Sequence, residues 1–180
     1  QVGRIVKTLK STGQWDNTVL IFSSDHGLAV GSHGLMGKQN QYEHSIGVPL
    51  IFAGGGIPAG QKLKTQCYLR DLYPTVCELA GIPIPESVQS KSLAGVIRGE
   101  AGEVHPYVVG YFTNTQRMIR EDRWKLIWYP HLARYQLFDL AADPLELTNL
   151  FAEPAQQSRV FVLRNKLENW LRAHRDPLFD

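Results

Sequence analysis

No apolar stretch in this chain approaches the roughly 20 residues that a membrane-spanning helix needs, so no membrane segment is expected. Cysteine is scarce: Cys67 and Cys77 are the only two in 180 residues. Their spacing fits no zinc or thioredoxin motif, and both fall in a segment with helical patterning, so two free thiols are expected rather than a bridge. An excess of either charge is also lacking. Nineteen Lys and Arg against seventeen Asp and Glu leave a net +2, too little to argue for a nucleic-acid or membrane surface. No GxxxxGK[ST] or GxGxxG pattern occurs, and Gly54-Gly55-Gly56 reads as a turn. Ser23 and Ser24 precede Asp25 without a Gly-x-Ser-x-Gly elbow. These gaps remove the phosphate-loop, dinucleotide and serine-hydrolase classes. Neither an initial Met nor a signal peptide is present, and Gln1 to Leu9 already has helical spacing, so the chain is expected to start inside a longer protein.

What is present falls into two parts, residues 1–102 and 103–180. The first alternates helix and strand. A helix over 2–12 stops at Gly13, and strands are expected over 18–23 and 48–53 with a long glycine-containing loop, 24–47, between them. A helix over 70–80 ends at Gly81, and Ser92 caps a short helix that ends at Gly99. The second part holds four short apolar runs, 107–112, 116–120, 124–129 and 136–140. Their short connections favour an antiparallel sheet. A helix over 157–174 closes the chain, with Val160, Leu163, Leu167, Trp170 and Leu171 as the apolar stripe that would lie on that sheet.

The chemistry concentrates between Thr18 and Phe52. A β-branched strand runs into Asp25-His26-Gly27; the loop then carries His33 in Gly31-Ser32-His33-Gly34, Lys38 after Gly37, and Tyr42-Glu43-His44. A carboxylate and an imidazole at a strand end are what an open α/β sheet offers to a metal or ligand. Taken alone, Asp25 reads as a turn former that bonds its own backbone.

This layout resembles the sulfatase family of the alkaline-phosphatase superfamily, in the branch with Asp-His-Gly, Gly-x-His and Gly-Lys that includes iduronate-type and choline sulfatases and phosphonate monoester hydrolases. The stretches RMIREDRWKLIWYP and YQLFDLAADPLELTNL resemble the C-terminal signature of the same family. The resemblance implies an α/β fold: the C-terminal part of an alkaline-phosphatase-like sheet with flanking helices, followed by a small four-stranded antiparallel sheet with a terminal helix. It implies hydrolysis of a sulfate ester, aryl or carbohydrate, through a formylglycine nucleophile. The family's Cys/Ser-x-Pro-x-Arg nucleophile motif does not occur here, so that group would lie upstream and the chain alone would be inactive. Export of the parent protein is the implied location.

By the same resemblance, Asp25 and His26 help to bind a divalent cation. Calcium is the family default but prefers oxygen donors, whereas the imidazole suits manganese or zinc. Lys38 would hold a sulfate oxygen and offset developing charge. His33 either touches substrate and assists proton transfer or orders the loop by bonding backbone. Tyr42, Glu43 and His44 are read as packing the loop. Arg117, Arg120, His105 and His131 either edge the cleft or face solvent, and Trp124, Trp128 and Tyr129 read as packing aromatics. A divided sheet would leave an open edge, so either pairing with another copy is expected or the chain is a proteolytic remnant whose partner fragment was lost. Two alternatives stand beside sulfate hydrolysis: a phosphonate monoester or phosphodiester hydrolase of the same superfamily, and a non-catalytic module that binds sulfated glycans.

Overall fold

A computed structural model describes residues 1–179. In chain order the elements are α1 (Val2–Ser11), β1 (Val19–Ser23), α2 (Glu43–Ile46), β2 (Leu50–Gly54), α3 (Leu72–Leu79), α4 (Ala94–Ile97), β3 (Val108–Phe112), β4 (Gln116–Glu121), β5 (Trp124–Tyr129), β6 (Arg134–Asp139) and α5 (Gln157–Ala173). They form two compact units. One comprises Gln1–Asp25 with Pro49–His105, the other His26–Val48 with Pro106–Asp180. The expected division at 102/103 comes near the second crossing. The loop differs: residues 26–48 pack with the C-terminal sheet rather than with the strand that leads into them.

In the first unit, β1 and β2 pair antiparallel in the register Val19↔Gly54 to Ser23↔Leu50. Asp25 therefore does not follow a buried strand. No residue of either strand is fully buried, and Phe22 and Ile51 lie 42% and 54% exposed. Two strands alone cannot cover their own faces. The firmer part of this unit is around α3. Asp71 is fully buried; its carboxylate accepts hydrogen bonds from the backbone N–H groups of Tyr68 and Lys91, at 2.7 and 3.2 Å. The Thr75 hydroxyl donates to the Asp71 carbonyl and accepts from the Leu93 N–H, which ties α3 to the approach of α4. Pro74 sits in the first turn of α3, where its missing N–H costs nothing.

The second unit is built on the antiparallel sheet β3-β4-β5-β6. Cross-strand neighbours Ile119, Leu126 and Leu137 share one face, and with Val109 they pack against Val160, Leu163, Leu167 and Leu171 of α5. All eight are essentially removed from water; each such side chain contributes about 1.5–3 kcal/mol. Met118, Ile127 and Phe138 point to the opposite face, where Tyr42 and Ile46 of the loop 26–48 cover them. The sheet is thus a middle layer between helix and loop. The expected single-sided arrangement, with only α5 lying on the sheet, is extended in this respect.

Candidate active site

Asp25 lies just past the end of β1, exposed to solvent. No hydrogen bond or ion pair holds its carboxylate among the described residues. His26 is half-buried, and its Nδ1 is 3.1 Å from the Gly27 carbonyl oxygen. Metal-binding histidines are commonly oriented by such a backbone bond. A carboxylate and an imidazole are both donor types that a divalent cation accepts. No group of three or more His, Cys, Asp or Glu that could hold a metal exists among the described residues, so a full shell needs further donors.

Gly27 shows why the loop needs glycine at this point. A Cβ there would lie 2.0 Å from the His44 carbonyl oxygen, while the Gly27 N–H donates to the Ser45 carbonyl at 2.9 Å. The two backbones touch, and this contact fixes where the loop leaves His26. Between them the loop closes on itself through Ala29 N–H to Gly37 carbonyl and Gly31 N–H to Leu35 carbonyl bonds. Val30 and His33 both adopt left-handed backbone angles, φ 46° and 55°, the former costly for a β-branched residue.

His33 stacks on Tyr42, with ring centroids 4.0 Å apart and planes 9° from parallel, and its Nε2 lies 3.0 Å from the Leu145 carbonyl oxygen. One ring nitrogen thus orders the loop, and Nδ1 has no partner among the described residues. Lys38 is exposed, with no ion pair to its ammonium; its backbone N–H donates to the Gln39 side chain and its carbonyl accepts from the Asn40 N–H at 2.9 Å.

Behind these residues sits a buried ionic cluster. The Lys125 ammonium, wholly buried on β5, lies 2.7 Å from a Glu43 carboxylate oxygen, 2.7 Å from Glu146 and 3.0 Å from the Gln41 carbonyl. Glu146 also accepts from the Glu43 N–H at the start of α2, and Arg120 donates to Glu43 at 2.8 Å. Burial alone would raise the Glu43 carboxyl; the Lys125 and Arg120 charges outweigh it and hold the pKa below the usual value. Burial pushes the His44 imidazole down, with help from His33 and Lys125, and His44 Nε2 is buried without a partner. Tyr42 and Glu43 pack the loop, as their position in the sequence suggested.

Arg117 proves neither cleft-edge nor solvated. It is 1% exposed, forms paired bonds with Asp176 at 2.7 and 2.9 Å, and donates to the carbonyls of Thr113 and Gln116. Its charge is spent fastening the residues after α5 to β4. Arg120 is likewise engaged, with Glu43, and His105 pairs with buried Asp71 at 2.9 Å. His131 is exposed on a turn after β5. Trp124 and Trp128 pack beside the α5 core, and Tyr129 against the loop-side core. Cys67 and Cys77 are free, and burial and then Asp71 push the Cys67 thiol up. Lys125 and Glu146 were not singled out from sequence. The single signal for Lys125 is a lysine inside the apolar run Trp124-Lys125-Leu126-Ile127.

Comparison with known proteins decides what this loop and sheet belong to. The family model for the C-terminal part of N-sulphoglucosamine sulphohydrolase matches residues 31–173. The chain belongs to the sulfatase family. It is 36% identical, over 98% of its length, to a Δ4,5-hexuronate-2-O-sulfatase of Bacteroides thetaiotaomicron, covering 39% of that protein. It is 40% identical over 86% of its length to a choline-sulfatase of Rhizobium meliloti, covering 31% of it. The sulfatase chain therefore spans about two fifths or less of these relatives. A solved structure in complex with its substrate D-glucosamine-2-N,6-O-disulfate superposes over 97% of the chain and 38% of its own, with TM-score 0.85 and 26% identity. The phosphonate monoester hydrolase of Agrobacterium radiobacter superposes over 96% and 38%, with TM-score 0.79 and 29% identity. The fold is that of the sulfatases, alkaline-phosphatase-like, as the sequence resemblance implied.

Proposed function

We propose that this chain is the C-terminal part of an enzyme that hydrolyses sulfate esters, and that Asp25, His26, His33 and Lys38 are its contribution to the active site. The observation that carries the reading is the run Asp25-His26-Gly27, His33, Lys38 on one loop of a sulfatase-family chain, with the Asp25 carboxylate and the Lys38 ammonium engaged by no other side chain among the described residues. Asp25 and the His26 imidazole would hold part of a divalent cation's shell; when bound, the cation polarises the sulfate and offsets its charge. Lys38 binds a sulfate oxygen and opposes charge that develops as the S–O bond breaks. His33, with Nε2 donating to Leu145, has Nδ1 left for the ester oxygen; in the protonated ring it can pass a proton there to the departing alcohol. The attacking group is a formylglycine outside this chain, since neither Cys67, Cys77 nor any serine here precedes Pro-x-Arg.

The test uses the longer protein and 4-nitrophenyl sulfate. Lys38→Ala should lower kcat/KM by about 10²–10³, the usual cost of removing a group aimed at developing charge. Chelation should abolish turnover, and calcium or manganese should restore it. The 180-residue chain alone should turn over nothing. An active isolated chain, or a Lys38→Ala enzyme as fast as the parent, would overturn the assignment. A second reading, phosphonate monoester hydrolysis, draws on the Agrobacterium neighbour and on His26, an imidazole suited to manganese or zinc. A phenyl phosphonate ester turned over faster than the sulfate would favour it.

A further inference from the structure

Beside His33, and wholly inside the second unit, a pocket opens where the loop-facing side of the sheet runs out. Gln116 begins β4, Tyr129 ends β5 and pairs in register with Arg134, and Gln136 follows on β6. All four side chains leave the same face, by the two-residue alternation of the strands. Gln39 and His33 close the pocket from the loop.

The hydrogen bonds leave this lining with an excess of donors. The hydroxyls of Tyr42 and Tyr129 both donate to the Gln136 Oε1, at 2.9 and 2.8 Å, so that one buried amide oxygen is fully used. The Gln136 NH2 has no partner among the described residues. Gln116 accepts from the Gln41 N–H, and the Gln39 oxygen accepts from Lys38, leaving the Gln39 NH2 unengaged. The Arg134 guanidinium is exposed and has neither an ion pair nor a hydrogen bond among the described residues. No carboxylate lines the pocket. Burial, then the neighbouring Tyr42 hydroxyl, push the Tyr129 phenol well above its ordinary range, so it stays a neutral donor.

We propose that this pocket binds an anionic sugar residue of the substrate, with Arg134 on a carboxylate or second sulfate and the Gln136 and Gln39 amides on ring hydroxyls. A guanidinium suits the fork of a carboxylate or sulfate, and amide donors suit hydroxyls. This deepens the sulfate-ester reading and rests on it for the identity of the reaction. It narrows the substrate to an acidic or multiply sulfated glycan. Choline sulfate and simple aryl sulfates have nothing to place there.

The pocket lies within one unit and needs no nucleophile, so binding can be measured on the 180-residue chain by calorimetry. Three probes separate the possibilities: a hyaluronan disaccharide, carrying a uronate and no sulfate; glucosamine 6-sulfate, carrying sulfate and no carboxylate; and neutral cellobiose. At least one anionic sugar should bind at least about tenfold tighter than cellobiose. A preference for the first assigns Arg134 to a carboxylate, a preference for the second to a sulfate. Arg134→Gln should abolish the preference with an unchanged melting temperature, and Arg134→Lys should restore part of it. Binding on this chain needs no turnover, which keeps this test apart from that of hydrolysis. Equal binding of all three sugars, no binding of any, or an unchanged preference in Arg134→Gln would overturn the pocket assignment.

Discussion

Lys125 and Glu146 meet at 2.7 Å with the ammonium completely buried and the carboxylate nearly so. Lys125 stands on the sheet, and Glu146 in the turn after β6 also accepts the N–H at the start of α2. Together with Glu43 they clamp the loop that carries His33 and Lys38 onto β5. Removing one partner of such a cluster strands the others without water. Lys125→Met should destabilise the chain by about 3–5 kcal/mol in denaturant unfolding. Adding Glu146→Gln to it should recover part of that loss, because one buried charge goes with it. A single-variant loss below about 1 kcal/mol would mean that the cluster is solvated and the loop is held by packing alone. Glu43 adds an acid limit. Its folded pKa is lowered, so its contribution is complete above the unfolded value near 4.5 and fades as pH falls below that.

The Arg117–Asp176 pair fastens the end of the chain in the same way. Burial alone would raise the Asp176 carboxyl, yet Arg117 and the Leu178 N–H hold it below the usual range. Asp176→Ala would leave a guanidinium that is 1% exposed facing no charge. Its cost should be about 3–5 kcal/mol, and hydrogen exchange should rise first in the last turn of α5. Wild-type exchange in α5 would show that the two carbonyls holding Arg117 suffice.

Gly27→Ala tests the close approach beneath the proposed metal residues. The new methyl group would sit 2.0 Å from a backbone oxygen, which no side-chain rotation can relieve. The loop must shift, at a cost of about 1–3 kcal/mol, the range of an overpacked site. In the longer protein the same variant should lose cation affinity out of proportion to its stability loss, because His26 precedes the displaced residue. Parent-like stability and cation affinity together would show that the backbone yields freely.

Much of this was legible in the sequence. The helix stripe of Val160, Leu163, Leu167, Trp170 and Leu171 has the 3.6-residue period of a buried face; Trp170 is half-buried against the same core and the other four are buried. The four strands were placed by apolar runs and short turns. The same runs held a further message. Met118-Ile119, Leu126-Ile127 and Leu137-Phe138 are consecutive apolar pairs, and a strand with neighbours of both parities apolar must be covered on both sides. That is why the loop 26–48 packs on the sheet. Arg117 was harder, because its partner Asp176 lies 59 residues away and no local pattern announces a buried pair. Lys125 was not singled out, although it stands inside an apolar strand run. Its burial follows from two carboxylates brought by separate segments, which only the folded chain assembles.

His44 sets a pH limit that can be isolated from the carboxylates. Its imidazole is depressed below the usual value of 6.5 by burial first, then by the positive charges of His33 and Lys125. The unfolded chain therefore takes up a proton at a pH where the folded chain does not. Stability is complete above about pH 6.5 and declines as pH falls from there towards the lowered folded value. The ring lies 5.6 Å from the His33 ring, so its protonation would add a positive charge beside His33 and Lys125. Unfolding of the parent chain should thus show a fall in stability as pH drops below 6.5. His44→Gln keeps a polar side chain but cannot protonate, so its stability should be flatter across that interval. The same slope in His44→Gln and in the parent would show that His44 is not the group that takes up the proton.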